Sequence, residues 1–460
     1  NQNQLFGSHV RWFFDPGCPG PELPASTLFS CIDQAVHLTR YPHPGPVHLN
    51  LPFREPFLLP KNQKPEEFIH DPDLQSWKAE KKPWISHPLP KISADAKLLE
   101  NFAKNLPEQG ILSIGRIPPK SISTVKKLAN DLAWPVFADI ASGLRLGPEF
   151  PNRVTYYDQL LIDSDFLKSH PPQKVIHLGF APTSKRWLGE MEKLPADTLV
   201  WIKEGSSRLD PTNRFRSVFE TSVEDFCSEM ISKLKKRKKS EWTIHWLDQS
   251  NKIEKLMEQF VTNHPLFSEM KLVRTLTKII PESHALFLGN SLPVREVDFY
   301  GSGNGSEVKL GLNRGASGID GLVASSAGYS KGLNQPLTLL LGDLSLLHDL
   351  NSLKLISESP KPIVLIVLNN HGGGIFSFLP ISEHKDIFET YFSTPHSLEF
   401  KDAAKMFELP YFHPETPEEF ESIYLKQASA DKSCIIEVNT LKEDNIRVQK
   451  EWTEFLHQNR

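Results

Sequence analysis

The chain has no surplus of either charge, no long apolar run and few cysteines, and each absence removes a class of function. Its 52 Lys and Arg stand against 56 Asp and Glu, a net charge of -4. That balance leaves no electrostatic footprint for nucleic acid or an anionic membrane surface. No apolar run nears the roughly 20 residues that span a bilayer, and the opening NQNQLFGSHV lacks the basic and apolar regions of a signal peptide. A cytoplasmic chain with no membrane insertion is expected. The four cysteines, Cys18, Cys31, Cys227 and Cys434, form no CxxC pair, so neither a disulfide framework nor a zinc site is indicated. No GxxxxGK[ST] occurs, and the glycine-rich GSGNGS at 301–306 neither follows a strand nor opens a helix; both facts count against the common nucleotide-binding motifs. The basic run KLKKRKK at 233–239 reads as a solvated helix end or connector in so neutral a chain.

What is present is a repeated alternation of apolar strands and helical patterns. The 460 residues suggest about three domains. Residues 1–60 hold a helical stretch at Ala25–Leu38, the strand-like GPVHLNLPF and a proline-bearing exit through Pro56 and Pro60, with no room for an opening strand in LFGSHVRWFF. One strand with one or two helices does not make a core, so this reads as a remnant of an α/β domain. Residues 61–94 turn polar, with Pro83, Pro88 and Pro90, and read as a linker. From 95 to 235 the strands ILSIG, PVFADI, KVIHLG and TLVWI alternate with helices, and from 241 to 460 ALFLG, PLTLLL, PIVLIVL and CIIEV do the same. Two doubly wound parallel sheets follow from that order.

The chemistry concentrates where two of these strands stop. PLTLLLGD ends on Asp343 and PIVLIVLNN on Asn370, followed by His371, Gly372, Gly373 and Gly374. Ligands in open α/β sheets gather at the carboxyl ends of strands. A divalent magnesium or calcium ion takes hard oxygen ligands and often bridges to the phosphates of a cofactor, and glycines let backbone approach a diphosphate. Taken singly, Asp343 could cap a helix opening at Leu344, and Asn370 with its glycines could form a turn. Their occurrence at consecutive strand ends favours a metal and diphosphate cradle.

With GDLS, NNHGGGIFSFLP, GNSLPVR at 289–295 and NRGASGIDG at 313–321 in view, the chain resembles the 2-succinyl-5-enolpyruvyl-6-hydroxy-3-cyclohexene-1-carboxylate synthase family of menaquinone biosynthesis, along nearly its whole length. The resemblance implies a thiamine-diphosphate-binding fold, thiamine diphosphate with Mg²⁺ or Mn²⁺ as cofactors, and a homodimer or homotetramer. It implies decarboxylation of 2-oxoglutarate and addition of the succinyl unit to isochorismate. It also implies that residues 1–60 are the tail of a pyrimidine-binding domain whose earlier part would carry the activating glutamate, a role not assigned to Glu55, and that the chain as it stands binds cofactor weakly. Residues 95–235 would be the middle domain and 241–460 the diphosphate domain.

By the same resemblance Asp343, Asn370 and the Gly372 carbonyl would hold the metal, and the amides of Leu344, Ser345 and Gly373 would receive the phosphates. Ser291 and Ile319 would touch the cofactor, Ile319 as the apolar prop of its bent shape. From spacing alone, Ile319 is equally a core residue of a small-residue helix. Arg295, Arg314, Lys185 and Arg186 would bind the dicarboxylate substrates, Ser291 would sit beside them, and Ile375, Phe376 and Leu379 would form an apolar wall. His371 stands where asparagine is common, with its side chain expected to point away from the ion. Two alternatives stay open: a chain that binds cofactor or a partner without turnover, and another thiamine-diphosphate decarboxylase or carboligase.

Overall fold

The computed structural model describes residues 2–20, 23–55, 58, 61–62, 72–89, 94–148, 150–163, 165–205, 210–315 and 317–459. Pro56, Pro60 and Pro90 lie outside the described residues. Backbone contacts divide the chain into two compact units, the first built mainly from residues 1–94 and the second from nearly all the rest.

In the first unit the helix Ala25–Leu38 forms as its spacing predicts, burying Phe29, Cys31 and Ala35. LFGSHVRWFF does contain a strand: β1 (Phe13–Phe14) pairs in parallel with β2 (His48–Leu49). At two residues each, these strands are too short to show period-two alternation. The stretch read as a linker carries a helix, Pro72–Glu80, whose Trp77 stacks on Phe29 at 4.7 Å between ring centroids.

The second unit holds two parallel sheets. The first has the order β4-β3-β5-β6-β7, with β3 Gly110–Ile114, β4 Val136–Ala138, β5 Lys174–Leu178, β6 Leu199–Lys203 and β7 Ser217–Glu220. The second has the order β12-β13-β11-β10-β8-β9, with β8 Ala285–Leu288, β9 Leu310–Leu312, β10 Leu337–Gly342, β11 Ile363–Asn369, β12 Tyr411–Phe412 and β13 Cys434–Asn439. All seven residues of β11 are buried. A strand covered on both faces is expected to be continuously apolar, which is why IVLIVL shows no alternation. One apolar cluster runs through both sheets, joining Ile111, Phe137 and Val175 to Leu286, Leu340, Val364 and Ile436.

The basic run behaves as a connector. Lys233 ends the helix Val223–Lys233, and Arg237 donates to the carbonyls of Leu106 and Pro107. Cys31, Cys227 and Cys434 are buried free thiols, and Cys18 is half-buried and free. Among the described residues no helix is long and apolar enough to cross a membrane.

Candidate functional site

β10 and β11 are neighbours in register, with Gly342 opposite Leu368. Asp343 and Asn370 therefore leave the sheet side by side at its carboxyl edge. Both border a cavity of about 330 Å³, with Ser291, Arg295, Ile319, Leu344, Ser345, Gly372, Gly373, Ile375 and Phe376 also on its walls. That volume falls in the range of small-ligand sites.

Asp343 does not cap a helix in the usual way. It is the first residue of the helix Asp343–His348, whose cap is Gly342. Its Oδ1 accepts from the Leu344 amide at 2.7 Å and its Oδ2 from the Gly372 amide at 2.9 Å, with His396 Nε2 3.2 Å from Oδ2. Burial pushes its carboxyl pKa up, and these two amides and His396 oppose the shift. Asn370 is 8 % exposed; its Nδ2 donates to Glu269 Oε1 at 3.0 Å, and its Oδ1 is buried with no partner among the described residues.

The glycines are set by close approach. At Gly372, with φ +148°, an added Cβ would stand 2.3 Å from the Ser393 carbonyl, and at Gly373 one would stand 2.4 Å from the Phe392 carbonyl. No side chain fits between these backbones. Two expected phosphate donors are already engaged: the Leu344 amide by Asp343, and the Gly373 amide by Ser393 O at 2.7 Å. This corrects the expectation for Leu344 and Gly373; Ser345, in the first helical turn, keeps an amide with no intrahelical acceptor. The Gly372 carbonyl accepts from the Gly374 amide at 3.0 Å and retains a second lone pair.

Ser291 adopts φ 73°, ψ -128°, a conformation that favours glycine, at the start of the helix Leu292–Tyr300. Ile319 is not in a helix; it is half-buried in the bend ahead of Leu322–Leu333 and faces the cavity. Arg295 donates to the Ser291 carbonyl. Arg314 lies close enough that its charge, after burial, lowers the pKa of both Arg295 and Arg116. Arg314 Nη1 is buried with no partner among the described residues, and its carbonyl accepts from Arg116 Nη1 at 3.2 Å.

Lys185, Arg186, Arg314 and Leu379 are not among the cavity-lining residues. Arg186 is instead paired with the buried Asp158, and Lys185 is exposed as the first residue of the helix Lys185–Lys193. Leu379 closes the short 3-10 turn Gly374–Phe378. His371 lines a separate cavity with Thr440 and Asn445.

Two contributors, Glu269 and His396, and Arg116, a neighbour of Arg314, escaped the sequence reading. Glu269 follows Ser268 at the start of the helix Glu269–Ile279, where an acid is an ordinary first-turn residue. Arg116 has no motif around it. His396 sits in FSTPHSLEF, and no local spacing points it at Asp343.

The donor set suits a magnesium-like cation. Among the described residues no group of three His, Cys, Asp or Glu gathers around a metal position, so a cation here would rest on one carboxylate, one amide oxygen and backbone carbonyl. Such hard oxygen donors, completed by phosphate and water, match Mg²⁺, and the orphaned Asn370 Oδ1 is the atom such an ion would satisfy.

A family model described as the middle domain of thiamine pyrophosphate matches residues 70–288. The chain is 37% identical over 453 residues to the 2-succinyl-5-enolpyruvyl-6-hydroxy-3-cyclohexene-1-carboxylate synthase of Rubrobacter xylanophilus, covering 98% of this chain and 77% of that protein. The enzymes of that name from Chlorobium phaeobacteroides and Salinibacter ruber are 35% and 33% identical, each covering 97% of this chain and 76% of the relative. In three dimensions the chain resembles the benzoylformate decarboxylase of Polynucleobacter necessarius, with a TM-score of 0.62 at 15% identity over 94% of this chain and 76% of that one, a likeness of fold. At such identity over nearly its full length, the chain belongs to the 2-succinyl-5-enolpyruvyl-6-hydroxy-3-cyclohexene-1-carboxylate synthase family of thiamine-diphosphate-dependent enzymes.

Proposed function

We propose that the cavity holds thiamine diphosphate through Mg²⁺ and that the chain serves the decarboxylation of 2-oxoglutarate and transfer of its succinyl unit to isochorismate, in menaquinone biosynthesis. One observation carries the reading: Asp343 and Asn370 leave adjacent strands together, beside one cavity, and Asn370 Oδ1 has no partner among the described residues. Asp343, Asn370 and the Gly372 carbonyl would hold the cation, and the Ser345 amide would meet a phosphate. When bound, the cofactor supplies the carbanion-stabilising chemistry that loss of carbon dioxide requires. Ile319 gives an apolar surface against the cofactor, and Ile375 and Phe376 exclude water beside it.

The substrate assignment rests on charge. Both substrates carry two carboxylates, and guanidinium forks bind carboxylates bidentately. Arg295 lines the cavity, and Arg314, outside its lining, stands near both Arg295 and Arg116. A small monocarboxylate needs fewer guanidinium groups. Lys185 and Arg186 would join the substrate only if Arg186 left Asp158, so they contribute second in this reading.

Thiamine diphosphate titrated into the chain calorimetrically should bind only with Mg²⁺ present. Asp343→Ala should weaken that binding by more than the roughly 10- to 100-fold typical of losing an outer partner of a metal ligand. Unchanged Mg²⁺-dependent affinity in Asp343→Ala would overturn the cradle. Carbon dioxide release from pyruvate but not from 2-oxoglutarate would overturn the substrate assignment.

A further inference from the structure

From the cavity wall inward runs a chain of buried polar groups that the reaction does not call on, beginning at Glu269, which lines the cavity. Glu269 is 1 % exposed and Glu296 2 % exposed, both far inside the range where a charge needs partners. Glu269 Oε1 accepts from Asn370 Nδ2 and from Thr440 Oγ1, each at 3.0 Å. Thr440 in turn donates its amide to the Asn369 carbonyl at 2.9 Å, so the ends of β11 and β13 are tied to the start of the helix Glu269–Ile279. Glu296 meets Glu269 from the helix Leu292–Tyr300. Two carboxyls in contact and out of water cannot both be charged. Burial first, and Glu269 second, push the Glu296 pKa well above the usual carboxylate range.

The consequence falls on Asn370. An amide offers two faces of opposite character, an NH₂ that donates and an oxygen that accepts. A carboxylate only accepts. Turning the Asn370 amide over would set its oxygen 3.0 Å from Glu269 Oε1, acceptor against acceptor, and would leave the NH₂ with no partner. One orientation survives, with nitrogen on Glu269 and Oδ1 on the opposite branch. The same contact draws electron density toward Oδ1, as outer partners raise the basicity of metal ligands.

We propose that Glu269 is a positioning residue for the cation site, its acceptor-only carboxylate fixing the Asn370 amide so that Oδ1 is presented to a divalent cation. The inference rests on the cradle reading above and adds a residue to it: Glu269 does not touch the ion but decides which atom of Asn370 does. The orienting contact spans 101 positions of sequence. Nothing within the NNHGGG segment itself supplies it.

The test reads metal binding rather than turnover. Mn²⁺ is titrated into the full chain with excess thiamine diphosphate, and free Mn²⁺ is read by its electron paramagnetic resonance signal. Four proteins are compared with the parent: Glu269→Ala, Asn370→Asp, the double variant carrying Asn370→Asp and Glu269→Gln, and Asp343→Ala. Glu269→Ala should weaken Mn²⁺ about 10- to 100-fold. Asn370→Asp should weaken it too, although it adds a negative charge, because the new carboxylate faces Glu269. The double variant exchanges donor and acceptor, with the NH₂ of the introduced glutamine meeting the introduced carboxylate, and should recover to within about tenfold of the parent.

If Glu269→Ala binds like the parent while Asp343→Ala does not, the positioning role is wrong and the cradle stands. If Asp343→Ala also binds like the parent, the cradle falls and takes the positioning role with it. Should Glu269→Ala fail to fold, the exchange decides alone: a double variant no better than Asn370→Asp overturns the proposal, since a merely structural Glu269 gives no reason for rescue.

Discussion

Ser291 carries its strain on the wall of the cavity. Its φ of 73° with ψ -128° lies in a region that side-chain-bearing residues rarely adopt, at a cost of about 1–3 kcal/mol. Glycine relieves that cost and alanine does not. Ser291→Gly should therefore raise stability by about 1 kcal/mol in urea unfolding, while Ser291→Ala leaves it unchanged or lower; both should weaken ligand binding in the cavity. A Ser291→Gly protein no more stable than Ser291→Ala would mean that the backbone there is not strained. His177 gives a second residue-scale expectation. Its Nε2 faces the acceptor-only carbonyl of Phe180 at 2.9 Å, so Nε2 carries the hydrogen and Nδ1 accepts from Ser113 Oγ, also at 2.9 Å. Burial lowers the ring pKa from 6.5 to about 4. The folded state thus resists a proton that the unfolded chain accepts. Its contribution to stability is intact above pH 6.5 and is lost as pH falls from there toward 4. Between pH 7 and pH 5 the loss is about 2 kcal/mol. His177→Gln cannot take up the proton and should flatten that part of the pH dependence of the urea midpoint; an unchanged slope would remove His177 as its source.

At the scale of elements, Glu437 shows how a strand fixes the loop that follows its neighbour. It is fully buried in β13, where it accepts from Asn369 Nδ2 at 2.6 Å, the Phe400 amide at 2.8 Å and Tyr411 OH at 2.9 Å. Asn369 is the last residue of β11, immediately before Asn370. Glu437→Ala leaves the Phe400 amide and the Tyr411 hydroxyl without an acceptor and Asn369 Nδ2 with only the Leu398 carbonyl, and should cost about 3–5 kcal/mol, with Mn²⁺ affinity falling as well, since the end of β11 is loosened. Full metal affinity in a folded Glu437→Ala protein would show that β11 holds its end unaided.

The central strands were legible because they are continuous apolar runs: ILSI, KVIHL, ALFL, LTLLL and IVLIVL all became strands within a residue or two of their expected ends. The strands that sequence reading missed, β1, β7, β9 and β12, all lie at sheet edges, with two to four residues each. An edge strand needs no apolar run, so none is written. The site divided in the same way. Asp343 and Asn370 could be read because each ends such a run, whereas Glu269 and His396 reach the site from segments with no local signature. The motif placed Lys185 and Arg186 at the substrate, but Asp158, which holds Arg186, lies 28 positions away and no spacing announced it.

For the second unit as a whole, the question is whether its two sheets hold together as one body. The shared apolar cluster answers part of it, and Arg274 the rest. This guanidinium is 1 % exposed in the helix Glu269–Ile279. It donates to Glu254 Oε1 at 2.5 Å, Glu258 Oε2 at 3.2 Å, Tyr156 OH at 2.6 Å and the Tyr300 carbonyl at 3.2 Å. Tyr156 belongs to the segment between β4 and β5, and Tyr300 ends the helix that starts beside Ser291. One side chain therefore joins the first sheet's connections to the helix that borders the cavity. Arg274→Met keeps much of the volume but leaves the tyrosine hydroxyl and a carbonyl without their donor, with Glu254 uncompensated. Breaking a buried pair from one side costs about 3–5 kcal/mol, and that is the expected loss in urea. Because the apolar cluster remains continuous, Arg274→Met should still give one transition for both sheets, followed through Trp201 of the first and through cation binding at Asp343 in the second. Two separated transitions in this variant would mean that the arginine, and not the shared core, makes the sheets cooperative. A loss below about 1 kcal/mol would mean that its ion pairs are worth no more than exposed ones.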